Sequence, residues 1–347
     1  MPDLFVTNFN RNFTGVSSTT ANVVRAQRSR YDMRLVGVEL PDCPAPLPVR
    51  MARALSVRAP NGKPFAIWHV RRNTEMRAAI WTRDVLRLPI KLVFTSAAQR
   101  RHSAFPRWLI SRMDAIVATS DLAADFVPNV RAVVPHGVDT DVFHPSENRA
   151  ASWAEQDAGG TMAIATIGRI RPEKGTDVFV DAMLRLLPDL PGAIALVIGR
   201  AGGKHDPFLD GLKARVNAAG LTDRIRFTGE APAHRLPAIM RSLSLVMQMP
   251  RYEGYGMVPL EAMASGVPFV ASDAGFYREF SADGRTGFVV DMLDAKAAAD
   301  AAKALLSDSA RFDATARAAR DMAMKRFSAE QEADGIGSVY EELWSKT

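Results

Sequence analysis

Two short stretches hold side chains whose types and spacing can do chemistry. In GRIRPEKGTDVFVDAM, Gly168 to Met183, Arg169 and Lys174 stand on a basic loop between an apolar run and a helical pattern that starts near Thr176. Helix N-termini present unpaired N–H groups and a partial positive charge, so two cations added there make a site for a diphosphate. The plainer alternative is a turn whose arginine and lysine face water. In RYEGYGMVPLEAMASGVPFVAS, Arg251 to Ser272, Glu253 and Glu261 flank a glycine-bearing loop that runs into a helix. Residue types alone leave three roles open to that pair: a general acid and base, a metal cage, or two clamps on one ligand. Glu253 lies beside Gly254 and Gly256, which let the backbone approach a ligand closely. Pro259 suits a first helical turn, and Glu261, read into the same turn, is explained equally by the helix dipole.

Such loops need elements to position them. Short, nearly continuous apolar runs recur at 4–7, 33–38, 65–70, 91–95, 115–119 and 132–135, and segments with helical periodicity, such as 74–87, separate them. A polar stretch, HPSENRAASWAEQDAGG (144–160), reads as a linker. A second series follows at 162–168, 193–199, 224–229, 243–249, 268–272 and 287–290, and the chain closes with helical segments at 295–306, 310–327 and 329–344. Buried parallel strands have this brief, unalternating look, and strand–helix alternation implies an α/β class. The expectation is two doubly wound, Rossmann-like domains, 1–150 and 151–327, facing across a cleft at the carboxyl ends of their strands.

The 347-residue length fits two domains. Cys43 is the only cysteine, which excludes an intrachain disulfide and a thiolate metal cage. The start MPDLFVTNFN has no export signal, and no apolar run approaches a membrane span, so the expectation is a soluble protein or one lying on a membrane surface. The net charge of +6 is uneven: residues 1–150 hold 21 Lys+Arg against 12 Asp+Glu, the rest 23 against 26. Within 71–112, ten basic residues face only Glu75 and Asp84, with Trp81, Phe105 and Trp108 among them. An anionic partner fits that surface, as does a solvated helical face.

GRIRPEKG, followed at 253–261 by E-G-Y-G-M-V-P-L-E, resembles the retaining nucleotide-sugar glycosyltransferases of family 4, which have the GT-B fold and two glutamates separated by seven residues. The stretches NFNRNFTGVSSTT (8–20), IWHVRRNTEM (67–76), KLVFTSAAQRRH (91–102) and HGVDTDVFHP (136–145) bring it closest to the bacterial lipopolysaccharide core mannosyltransferases. The resemblance implies that Arg169 and Lys174 grip the donor diphosphate and stabilise the departing nucleotide. It also implies that Glu253, with backbone groups of Gly254, Tyr255 and Gly256, holds the donor sugar. Glu261 would bind the ribose, and Met257 and Val258 would offer N–H groups to the phosphate. Gly15 matches the family's glycine loop, beside which Ser17, Ser18 and Thr19 are placed to cap the following helix. Many members carry a histidine after a first-domain strand; here Thr95 stands there, with His69 and His102 as substitutes, and His69 is the catalytic candidate.

The implied function is transfer of mannose from GDP-mannose, with retention, to a lipopolysaccharide core acceptor, an anionic glycolipid. The C-terminal helix, 328–347, is expected to pack back on the first domain. No cofactor or metal is expected; Asp139-Thr140-Asp141 resembles a metal-binding D-x-D but sits at an interdomain turn of the family. The expected location is the cytoplasm, peripheral to the inner face of its membrane. A UDP-sugar donor is the enzymatic rival. A nucleic-acid partner rests on charge alone, lacks any motif, and is opposed by the acidic second half.

Overall fold

The computed structural model describes residues 1–346. The chain forms two compact units, one of Met1–Asp139 with the chain from Phe327 onward, the other of Thr140–Arg326. The first holds β1 (Leu4–Asn8), β2 (Met33–Gly37), β3 (Ala66–Val70), β4 (Ile90–Ser96), β5 (Ala115–Ala118) and β6 (Val130–Val133). The second holds β7 (Met162–Ile167), β8 (Ala193–Ile198), β9 (Ile225–Gly229), β10 (Leu245–Gln248), β11 (Phe269–Ser272) and β12 (Phe288–Val290).

Each unit has one parallel sheet of six strands with helices packed on it, in the order β2-β1-β3-β4-β5-β6 in the first and β12-β11-β10-β7-β8-β9 in the second. Every residue of β1, β3 and β8 is buried, which is why these strands read as nearly continuous apolar runs, broken only by the buried Thr7, Asn8 and His69. The edge strand β6 alternates half-buried and exposed residues and begins before the apolar run AVVP. In both sheets the chain starts in the interior and then extends toward both edges. The strand order therefore reverses between β1 and β3 in one unit and between β7 and β10 in the other. Doubly wound sheets bind ligands at the carboxyl ends of the strands that flank such a reversal.

The last helix, Ala329–Ser345, lies on the helix Gly15–Gln27 and completes the first core. Its Ile336, Val339, Tyr340 and Trp344 join Leu4, Val6, Val24 and Leu35 in one buried cluster. The Trp344 Nε1–H donates to the Phe65 carbonyl at 3.0 Å, and Gln27 Nε2 to that of Ala333 at 2.9 Å. Residues 140–150, read as the end of the first domain, belong to the second unit. There Arg241 Nη1 meets His144 Nε2 at 2.7 Å, and Arg149 Nη2 donates to the Gly266 carbonyl at 2.7 Å. Among the described residues no helix is long and apolar enough to cross a membrane.

Candidate functional site

In the second unit the loops after β7 and β10 leave adjacent strands at the point of reversal, and their side chains meet. Lys174 Nζ donates to Glu253 Oε2 at 2.6 Å, and Glu253 Oε1 accepts the Gly254 N–H at 3.0 Å. Both side chains of the ion pair keep about a quarter of their surface exposed, 26 % and 22 %. Arg169 is exposed and forms no ion pair among the described residues. The loops approach so closely that a Cβ on Gly175, whose φ is +65°, would stand 1.6 Å from the Met249 carbonyl oxygen. That glycine is the residue from which the helix Thr176–Leu186 starts.

Two residues the sequence did not single out stitch these loops together. Arg251 makes a forked bond to Asp177, Nη1–Oδ1 2.9 Å and Nη2–Oδ2 2.6 Å, and also donates to the Pro172 carbonyl. Burial raises the Asp177 carboxyl, but its bonds to Arg251 and to backbone amides outweigh that and leave its pKa below the ordinary value. The only signal in the sequence was an arginine before Tyr252 and an acid in a helical first turn, neither of which points to the other.

Gly256 adopts φ +97° at the start of the helix Met257–Ala264, and a Cβ there would lie 2.1 Å from the Tyr277 ring. Tyr277 is buried, and burial together with the nearby Glu253 charge pushes its phenol well up. Tyr255 stacks on Phe276 at 5.0 Å and accepts the Phe276 N–H on its carbonyl at 2.9 Å, which fixes the loop against the helix Tyr277–Ser281. The first-turn amides of the Met257–Ala264 helix, those of Met257 and Val258 included, have no intrahelical partner.

Glu261 departs from the first-turn reading. It is the fifth residue of that helix, only 9 % exposed, and its carboxyl has no hydrogen-bond partner among the described residues. Burial pushes it up to about 7, opposite to the direction a helix N-terminus would move it. A carboxylate kept buried and unbonded beside open N–H groups is available to a ligand hydroxyl. The second unit thus brings Lys174, Glu253, Gly254, Tyr255, Gly256, Met257, Val258 and Glu261 around one helix N-terminus.

In the first unit Gly15 is the exposed first residue of its helix, at the carboxyl end of β1, with nothing within 4 Å of a Cβ placed there. Ser17, Ser18 and Thr19 do not cap that helix, because it begins before them. Ser17 accepts from Arg72 Nη2 at 3.0 Å, and Thr19 bonds back to the Val16 carbonyl at 3.2 Å. Glu75 is the hub there: fully buried, it accepts from Thr7 Oγ1 (3.0 Å), the amides of Phe9 (3.1 Å) and Arg71 (2.8 Å), and Arg72 Nη1 (2.9 Å). Arg72 also reaches Asn8 and Thr14, so the loop between β1 and Gly15 is tied to the end of β3.

His69 is not placed to touch a substrate. It is wholly buried, with Nε2 on Thr95 Oγ1 at 2.7 Å and Nδ1 on the Tyr340 hydroxyl. Burial first, then the charges of Arg71 and His136, lower its pKa well below the usual value and keep it neutral. His69 and Thr95, read as rival occupants of one position, are hydrogen-bonded partners in the core. His102 is half-buried, its pKa lowered by burial and by Arg100. Among the described residues no group of three or more His, Cys, Asp or Glu could hold a metal ion; Asp139 pairs with Arg25 at 3.0 Å.

The family model described as Glycosyl transferases group 1 matches residues 148–322, which include Arg169, Lys174, Glu253 and Glu261. The lipopolysaccharide core biosynthesis mannosyltransferase LpsB of Rhizobium meliloti is 41 % identical, covering 98 % of this chain and 97 % of its own. LpcC of Rhizobium leguminosarum, of the same description, is 42 % identical over 99 % and 98 %. A GDP-mannose-dependent phosphatidylinositol monomannoside mannosyltransferase of Mycolicibacterium smegmatis is 34 % identical over 55 % of this chain and 51 % of its own. In fold, the crystal structure of Anabaena HepE in complex with UDP and glucose superposes with a TM-score of 0.80, at 16 % identity, over 99 % of this chain and 100 % of that one.

Proposed function

The chain belongs to the group 1 glycosyl transferases, and on that premise we propose that it moves mannose from GDP-mannose to the core saccharide of a lipid-linked lipopolysaccharide precursor, with retention. The acceptor is argued from the near-full-length likeness to LpsB and LpcC, and the donor from the more distant GDP-mannose-dependent relative. The observation that supports the reaction most is the cluster at the strand reversal of the second unit. It combines a lysine and a glutamate in contact, a helix N-terminus, and a buried carboxyl without a partner.

In this reading Arg169 and Lys174 take the donor diphosphate, Glu253 accepts hydrogen bonds from the sugar hydroxyls, and Glu261 accepts from the ribose. The bond from the sugar's anomeric carbon to the phosphate oxygen breaks while the acceptor oxygen bonds to the same carbon from the same face. The acceptor's proton passes to the departing phosphate. Arg169 and Lys174 stabilise the charge that develops on the leaving group, where fixed charges are most effective. With those two cations in that role the reaction requires no metal ion.

The first unit's basic face would bring the enzyme to the inner face of the cytoplasmic membrane, where an anionic glycolipid is presented. Incubation with a panel of nucleotide sugars tests the donor directly: GDP release from GDP-mannose is expected, and preferential UDP release from a UDP-sugar overturns it.

A further inference from the structure

Behind the loop 253–256 stands a tyrosine whose hydroxyl packing alone does not require. Tyr277 is 1 % exposed, and its ring fills the space that a side chain at position 256 would take. A Cβ on Gly256 would stand 2.1 Å from the Tyr277 Cε1 and 2.7 Å from its Oη. The glycine therefore lets the phenol come up against the backbone from which the helix Met257–Ala264 starts. Gly275 does the same for the main chain two residues earlier, where a Cβ would meet the Glu253 Cβ and Cγ at 3.1 Å. The Tyr277 amide donates to the Ala274 carbonyl at 3.2 Å, which fixes the backbone that carries the ring.

The hydroxyl makes no hydrogen bond among the described residues. Phenylalanine would fill the same space, and a polar group held in the interior without a partner costs stability. Glu253 acts on the phenol by its charge, but both carboxylate oxygens are engaged, Oε2 by Lys174 at 2.6 Å and Oε1 by the Gly254 N–H at 3.0 Å. Burial and that charge keep the phenol protonated, so it has a proton to donate. A phosphate oxygen would accept it, yet the Glu253 charge repels a phosphate at this place. A sugar hydroxyl suits both neighbours, because its oxygen accepts from the phenol while its proton goes to the carboxylate. Hydrogen bonds chained in this way polarise and strengthen one another.

We propose that the Tyr277 hydroxyl donates a hydrogen bond to a hydroxyl group of the donor sugar, the one from which Glu253 accepts, and so selects donors that carry it. The proposal deepens the transfer reaction put forward above and rests on its assignment of Glu253 to the sugar. Sites built to bond a substrate hydroxyl discriminate strongly against analogues without it, since the protein groups are then left unpaired.

The test uses the full chain, unaltered and as Tyr277→Phe, which keeps the ring and removes only the oxygen. Calorimetric binding of GDP, thermal unfolding and GDP release from GDP-mannose are measured on both. Equal GDP affinity and an unlowered Tm are expected, with kcat/KM for GDP-mannose reduced roughly three- to tenfold, the worth of one net hydrogen bond. The two proteins are then compared on GDP-mannose analogues that each lack one sugar hydroxyl. On one analogue they should turn over equally, because the phenol has lost its partner; a merely structural tyrosine has no such analogue. Undiminished turnover of GDP-mannose by Tyr277→Phe overturns the proposal. A loss of GDP affinity as large as the loss in kcat/KM overturns it too, by assigning the hydroxyl to the phosphates or to the rigidity of the loop. So does a deficit that persists on every analogue. If a panel of nucleotide sugars selects another donor, the mannose assignment fails by itself, and Tyr277 is judged by the same comparisons on that sugar and its free nucleotide.

Discussion

Glu253→Gln should make the free enzyme bind GDP more tightly while transferring sugar more slowly. Without donor, Lys174 is bonded to Glu253 at 2.6 Å, so a diphosphate that takes the lysine must first displace the glutamate. Both side chains are about a quarter exposed, at 26 % and 22 %, so the pair is screened. Pairs of this kind are worth about 1 kcal/mol, at the upper end of surface salt bridges. Removing the charge of Glu253 abolishes that competition and one repulsion of the incoming phosphates, which corresponds to roughly fivefold tighter GDP. A full donor responds in the opposite sense. Its sugar loses charge-assisted hydrogen bonds worth about 1.5–3 kcal/mol, so kcat/KM falls roughly ten- to a hundredfold. Titration calorimetry with GDP on the unaltered protein, Glu253→Gln, Lys174→Met and the double variant separates the terms. Lys174→Met should weaken GDP, and the gain from Glu253→Gln should vanish once the lysine is gone. Weaker or unchanged GDP binding by Glu253→Gln alone refutes the competition.

Three further outcomes follow from the same cluster. The Glu261 carboxyl, about 7 when folded against an ordinary 4.5, is destabilising only where the unfolded chain is ionised. Its contribution is therefore fully favourable below pH 4.5 and is lost as pH rises toward about 7. Glu261→Gln should then raise the Tm at pH 8 by the equivalent of on the order of 3 kcal/mol, leave it nearly unchanged at pH 4, and weaken GDP binding. An equal Tm gain at both pH values contradicts the shift. Gly256→Ala forces a left-handed φ and a clash 2.1 Å from the Tyr277 ring, so a loss of roughly 2 kcal/mol or more in denaturant unfolding is expected, with donor turnover abolished. Transfer should persist after exhaustive treatment with a chelator, and loss of activity restored by a divalent cation would show that Arg169 and Lys174 do not suffice.

The inner strands were legible because each is a brief apolar run buried on both faces, where alternation is not required, whereas edge strands such as β6, half-buried and exposed in turn, were legible only approximately in their bounds. The two loops were legible because glycine, proline and charge mark the ends of strands whatever follows them. What was not legible depends on residues far apart in the chain. The Lys174–Glu253 bond joins positions 79 apart, and nothing local distinguishes a lysine that faces water from one that faces that carboxylate. Glu261 was placed a turn too early because Pro259 favours a first turn, whereas the helix starts at Met257 and carries Glu261 into the interior. His69 looked available for chemistry because its partners, Thr95 and Tyr340, come from another strand and from the last helix. The unit boundary was set too late because the linker's polar composition hides its bonds to Arg241 and Gly266.

The first unit is built from both ends of the chain, and Val138 pairs with Ser328 where the two parts meet. During synthesis its sheet must wait, one face covered only in part by the helix Gly15–Gln27, until Ile336, Val339, Tyr340 and Trp344 leave the ribosome. The intervening residues 140–326 take roughly 10–40 s to make at about 5–20 residues/s. The second unit, being continuous, can complete its own core in that interval. Maturation therefore runs against the order of synthesis: the part made in the middle is finished first, and the part begun first is sealed by the last turns of helix. A chain stopped near Phe327 would hold a folded second unit beside an unsealed sheet, a substrate for chaperones and proteases rather than a half-enzyme.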